Sequence, residues 1–184
     1  MKNYLELIHL QFDLPDSNRM EYSEECWQEL TDRYGILPPD EYRNFISLFG
    51  VGCFNDFLWI YSPEISPVNK YLSVYGPSEA FLEYFYEYFD DGFDNKIDCL
   101  GFESYEMDLF PWGGTDNGDL LYWGKVQDCY GVIVVNMRDR TAQFFNKSIP
   151  EFLYLLVNNS IKCELFPEDA FEEHTPTFTL YLDS

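Results

Sequence analysis

Basic residues are scarce in this chain: 11 Lys and Arg stand against 33 Asp and Glu, a formal net charge of −22 over 184 residues. Small domains need a net charge of only about 2 to 8 units to stay soluble. The excess repels phosphate backbones and anionic membranes, which argues against direct nucleic-acid or membrane binding, and it accelerates encounter with a basic partner. An organism with an acidic proteome would show the same balance. Histidine is nearly absent, His9 and His174 being the only two. Neither sits in a motif that supports a Ser-His-Asp or Cys-His site, and His9 reads as a surface residue of the first segment. The five cysteines (Cys26, Cys53, Cys99, Cys129, Cys163) never form a Cys-x-x-Cys pair. They have no zinc-ligand spacing and read as reduced, mostly buried thiols of a cytoplasmic protein. No Gly-x-Gly-x-x-Gly turn or Gly-x-x-x-x-Gly-Lys loop is present, so nucleotide binding has no support and no cofactor is expected. No stretch approaches the roughly 20 apolar residues of a membrane span. The start, "MKNYLELIHL", is interrupted by Glu6 and His9 and does not read as a secretory signal.

What is present is aromatic and apolar. Hydrophobic residues make up 46% and aromatics 20%, too much for a chain that stays disordered and enough for one domain. "YSEECWQELTDRYGI" predicts a helix with Ser23 as N-cap, Glu24 and Glu25 at its positive end and Gly35 as its stop. "LPPDEYRNFISLFG" predicts a second, with Pro39 in the first turn and Tyr42, Phe45, Ile46 and Phe49 on one face. A strand follows at "DFLWIY", then a Ser- and Pro-rich loop over 62–76. A further helix is expected in "PSEAFLEYFYEYFDDG", with Tyr84 and Tyr86 off its apolar face. Strands are expected at "LGFESYE", "LLYW", "GVIVVNM" and "AQFF", and the unbroken run Val132–Val135 predicts a strand covered on both faces. "SIPEFLYLLVNN" predicts a helix with a Ser148–Glu151 capping box. "TFTLYL" predicts a strand with Phe178, Leu180 and Leu182 on one side. Sheet and helices are not arranged as regular βαβ units, so the expected class is α+β, with a mostly antiparallel or mixed sheet packed with helices in a single domain over 1–184.

"LFPWGGTDNGDLLYWG", residues 109–124, is the stretch most open to two readings. Its aspartates suggest an active-site or metal loop. Counting back from Gly118, however, puts Gly113 where a calcium loop needs Asp. Among 33 carboxylates, a glycosidase-like pair is proposed too easily to mean anything. The structural reading explains more. Asn117-Gly118 signals a type I′ hairpin turn, in which both central residues need positive φ. Asp116 is then expected to bond its own downstream backbone, and Trp123 to be buried by the strand that follows.

That stretch, together with "GILPPDEYRNFISLFGVGCF" (35–54), "DFLWIYSP" (56–63), "GVIVVN" (131–136) and "SIPEFLYLLVNN" (148–159), resembles in order and spacing the SUKH superfamily. This superfamily includes a fungal cell-wall regulator and many bacterial immunity proteins. The matching region spans 35–160; its motif positions here are Pro38, Trp112, Gly114, Asn117, Gly118, Asp119 and Trp123, and Tyr130 stands where many relatives place a tryptophan. The resemblance implies a cytoplasmic, non-enzymatic domain that binds and neutralises a cognate toxin domain, one carrying a basic substrate-binding surface such as a nuclease. Residues 71–124 hold twelve acids and one base, Lys96. Within them Tyr86, Tyr88, Asp90, Asp91 and Asp94 are the expected partner contacts, since tyrosine is a favoured interface anchor. Two other readings stay open: a regulatory or scaffolding adaptor of the same superfamily, and a carboxylate-based hydrolase using Asp116 or Asp119.

Overall fold

A computed structural model describes residues 3–12, 21–64, 72–76, 109–126, 128–136, 138–139, 141–171 and 175–181. The first expected helix is α2 (Glu24–Tyr34): the Ser23 hydroxyl accepts from the Cys26 N–H, and Gly35 donates to the Thr31 carbonyl at 2.9 Å. Helix α3 (Asp40–Phe49) buries Tyr42, Phe45, Ile46 and Phe49, as the spacing requires. Pro39 is its N-cap rather than part of its first turn, and it offers no side-chain cap bond. Tyr4–Phe12 forms α1, for which the sequence carried no expectation. Helix α4 (Ile149–Val157) is capped by Ser148. Only half of the capping box forms, because the Glu151 carboxylate receives the Tyr4 hydroxyl at 3.4 Å and lies 3.4 Å from the Lys147 ammonium.

The strands are β1 (Gly52–Phe54), β2 (Leu58–Ile60), β3 (Leu109–Thr115), β4 (Leu120–Val126), β5 (Cys129–Asn136), β6 (Thr141–Phe145) and β7 (Phe178–Leu180). They form one sheet in the order β6-β5-β4-β3-β2-β1-β7, and every neighbouring pair is antiparallel. An isolated parallel bridge joins Ser62 to Ser73 within the stretch expected to be a loop. The fold is therefore α+β, as expected from the order of elements. The helix expected at 77–92 and the strand expected at 100–106 lie outside the described residues, as do Tyr86, Tyr88, Asp90, Asp91 and Asp94.

One face of the sheet carries Ile60, Trp112, Leu121, Val132 and Val134 into a core shared with the helices. Phe152 of α4 meets Trp112 at 6.2 Å and Phe145 at 4.9 Å between ring centroids. Tyr42 of α3 lies 5.0 Å from Phe110, and its hydroxyl donates to the Tyr61 carbonyl at 2.7 Å, so this buried phenol leaves no polar atom unpaired. Each such ring contributes about 1.5–3 kcal/mol by burial. Tyr122, Ile133 and Val135 point to the other face and are buried too, which confirms that β5 is covered on both sides.

Candidate functional site at the hairpin tips

The β1–β2 and β3–β4 hairpins bring their tips together, and this places the aspartates singled out in the sequence. In β3 the pairing register slips between Pro111 and Gly113. Proline has no N–H for the ladder and is accommodated in sheets at edges or bulges. Gly113 and Gly114 are part of this strand and not of a turn: a Cβ on Gly113 would stand 2.6 Å from the Trp59 carbonyl oxygen, and one on Gly114 would collide with the Tyr61 hydroxyl. Trp112, wholly buried, is the core tryptophan of the stretch, and its indole N–H has no hydrogen-bond partner among the described residues. Trp123, expected to be buried, is only partly so and stacks on Tyr130 at 6.1 Å and 14°. Trp123 pairs with Val132 on the helix-bearing face and packs against the margin of the core without being enclosed by it. Pro38 is buried just before the α3 cap.

The expected type I′ turn at Asn117-Gly118 is not what closes β3–β4. Thr115 N–H donates to the Asp119 carbonyl and Gly118 N–H to the Thr115 carbonyl, both at 2.9 Å. Gly118 has φ 86°, while Asn117 is absent from the positive-φ residues. This is a three-residue loop with its left-handed residue last, the type I turn plus glycine bulge. The type I′ signature sits instead in β1–β2: Asn55 and Asp56 have φ 51° and 52°, and Phe57 N–H donates to the Phe54 carbonyl at 3.0 Å.

Asp116 does not bond its own downstream backbone. Its Oδ1 accepts from the Trp59 indole N–H at 2.6 Å, and its own N–H donates to the Phe57 carbonyl at 3.0 Å. Asp119 is 1% exposed. Its Oδ2 accepts from the Thr115 hydroxyl at 2.7 Å and its Oδ1 from the Asn136 amide at 2.9 Å, while its N–H donates back to Thr115 Oγ1 at 3.1 Å. Burial raises the Asp119 pKa above the ordinary carboxylate value. Bonds from Thr115 and Asn136 and the charge of Arg138 pull it down, and Asp139 pushes it up. The two aspartates thus face different partners and brace different strands, Asp116 tying the tip to β2 and Asp119 tying it to β5. Sequence reasoning missed Trp59, Thr115 and Asn136 because nothing in their spacing marks them as partners.

Beside the tips lies a cleft of about 660 Å³ lined by Asn55, Asp56, Phe57, Asn117, Asp169 and Phe171, among others. Asn55 anchors its wall: its amide donates to the Ala170 carbonyl at 3.3 Å and its Oδ1 accepts from the Thr177 N–H at 2.8 Å. The Asn55-Asp56 pair, two residues that tolerate left-handed backbone between apolar runs, was the signal in the sequence that would have found it.

Other reactive groups lie elsewhere. His9 packs on Phe49 at 6.2 Å, and His174 lies outside the described residues. The four described cysteines are free thiols, three of them buried. Burial pushes Cys26 up to about 11 and Cys53 and Cys163 to about 12, leaving them poor thiolate nucleophiles. Among the described residues no group of three or more His, Cys, Asp or Glu is placed to hold a metal, and no helix is long and apolar enough to cross a membrane. Comparison of the chain with protein-family models, with curated proteins and with solved structures gives no match.

Proposed function

We propose that this protein is an immunity protein of the SUKH kind, which binds a basic toxin domain in the cytoplasm and neutralises it by contact and not by catalysis. The observation that carries this reading is the uncompensated negative surface. Glu25, Glu29 and Asp32 project from α2, Asp40 and Glu41 from the start of α3, and Asp56, Asp116 and Asp169 lie at the hairpin tips and the cleft beside them, all exposed. Ion pairs among the described residues engage Glu24 with Arg43, Asp128 with Lys125 and Glu151 with Lys147. The remaining carboxylates repel one another in the free protein and are relieved by a basic partner, which favours fast, salt-sensitive association. The bonding of Asp116 and Asp119 within the hairpins supports a scaffold role for the residues most open to a catalytic reading.

The test is rescue. Cells in which the toxin domain encoded beside this gene is induced should survive when this protein is co-expressed. The purified pair should bind tightly at low salt, with affinity falling as salt rises. Death at the control rate, with the protein present and folded, removes the reading.

A further inference from the structure

The reading above leaves open where the partner is held, and the cleft beside the hairpin tips supplies an answer that rests on it. At about 660 Å³ it falls inside the roughly 300–1,000 Å³ range of ligand-binding clefts. Its lining combines three features. Asp56 and Asp169 supply two exposed carboxylates. Phe57 and Phe171 supply aromatic surface, their rings 6.0 Å apart and nearly perpendicular, with Phe166 behind Phe57 at 5.3 Å. Asn55 and Asn117 supply amides at the rim. No Lys, Arg or His is among the described residues that line it. Neither aspartate has an ion-pair partner among the described residues.

We infer that this cleft receives an arginine-bearing loop of the basic partner protein. A guanidinium matches the lining better than an ammonium does, since it is planar, forks onto carboxylates and stacks on aromatic faces. The phenylalanine rings attract it through their quadrupoles, and the carboxylates neutralise it where water is partly excluded. The walls are fixed before binding. Asn55 bonds both Ala170 and Thr177, and the Asp116 N–H holds Phe57, so the partner meets a formed site.

The experiment uses the full chain, isotope-labelled, and the peptide acetyl-Gly-Arg-Gly-amide, with its citrulline counterpart as the uncharged analogue. Amide resonances of Asp56, Phe57, Asn117 and Ala170 should shift and saturate with the arginine peptide and stay still with the citrulline one. The double variant Asp56→Asn, Asp169→Asn should weaken the peptide at least tenfold. Asparagine accepts left-handed backbone, so the turn at 56 survives, and unchanged resonances elsewhere verify this. Glu25→Gln with Glu29→Gln makes the same change in charge on α2 and should alter the affinity less than twofold. Equal shifts with citrulline, shifts that do not saturate, or equal losses from the two double variants would each overturn the assignment. If rescue from the toxin succeeds while these peptide results fail, the cleft alone is wrong; if rescue fails while the peptide binds as described, the toxin reading alone is wrong.

Discussion

The β1–β2 and β3–β4 hairpins each close around three residues, Asn55-Asp56-Phe57 and Asp116-Asn117-Gly118, yet their left-handed backbone sits at opposite ends of the loop. The first puts it at Asn55 and Asp56, where no glycine is present; the second puts it at Gly118. The difference follows from what each loop bonds. Asn55 is held by Ala170 and Thr177, contacts from the far end of the chain that fix its conformation from outside. The second loop is closed from within, by Thr115 and Asp119 exchanging backbone and side-chain bonds across its base. Short polar side chains accept left-handed backbone when tertiary contacts hold them, and glycine accepts it without help.

Substitutions separate the two arrangements. The largest effect is expected where the hairpins touch. Gly113→Ala drives a methyl against the Trp59 backbone carbonyl, which has no rotamer to escape into. It should cost about 3 kcal/mol, at the upper end for overpacking, in urea denaturation. Next comes the internal brace: Asp119→Ala strands the Asn136 amide and the Thr115 hydroxyl in a buried site and should cost about 2 kcal/mol. Asp119→Asn sharpens this through pH. The Asp119 pKa is raised in the folded state, so the folded form holds the proton more tightly than the unfolded form does. Its contribution is fully present below the unfolded pKa and is lost as pH rises through the folded one. The stability of the wild type relative to Asp119→Asn should therefore fall as pH increases from 3 through the raised pKa, and a rise would contradict the assignment.

Gly118→Ala should cost about 1 kcal/mol, because the position is open in space but left-handed in backbone. Asp56→Gly should be neutral within about 0.5 kcal/mol, since no hydrogen bond of its side chain is at stake and glycine keeps the conformation. A large loss there would show that the first loop depends on Asp56 itself and not on Asn55. A modest effect, larger than that of Asp56→Gly, belongs to the tether between the tips. Trp59→Phe removes the bond to the exposed Asp116 and should cost about 0.5–1 kcal/mol in thermal unfolding, with the hairpins otherwise intact.

Short-range pattern by itself determined α2, α3 and α4, their caps at Ser23 and Ser148, and strands β4, β5 and β6. Those features depend on residues three or four apart on a helix or alternating along a strand, and such periodicities are written in the chain. It also marked 116–119 as a turn rather than a metal loop. It did not determine which turn, because Asn-Gly fits the first two positions of one loop or the last two of the other. Only the pairing of Thr115 with Asp119 chooses between them. Nor did it show that Gly113 and Gly114 are strand residues pressed against β2, that Trp112 and not Trp123 fills the core, or that Asp116 answers to Trp59, 57 positions away. Each of those depends on which strands become neighbours. The seven-strand order, with the tail strand β7 added beside β1, made that decision, and it placed Asp56 and Asp169 across one cleft.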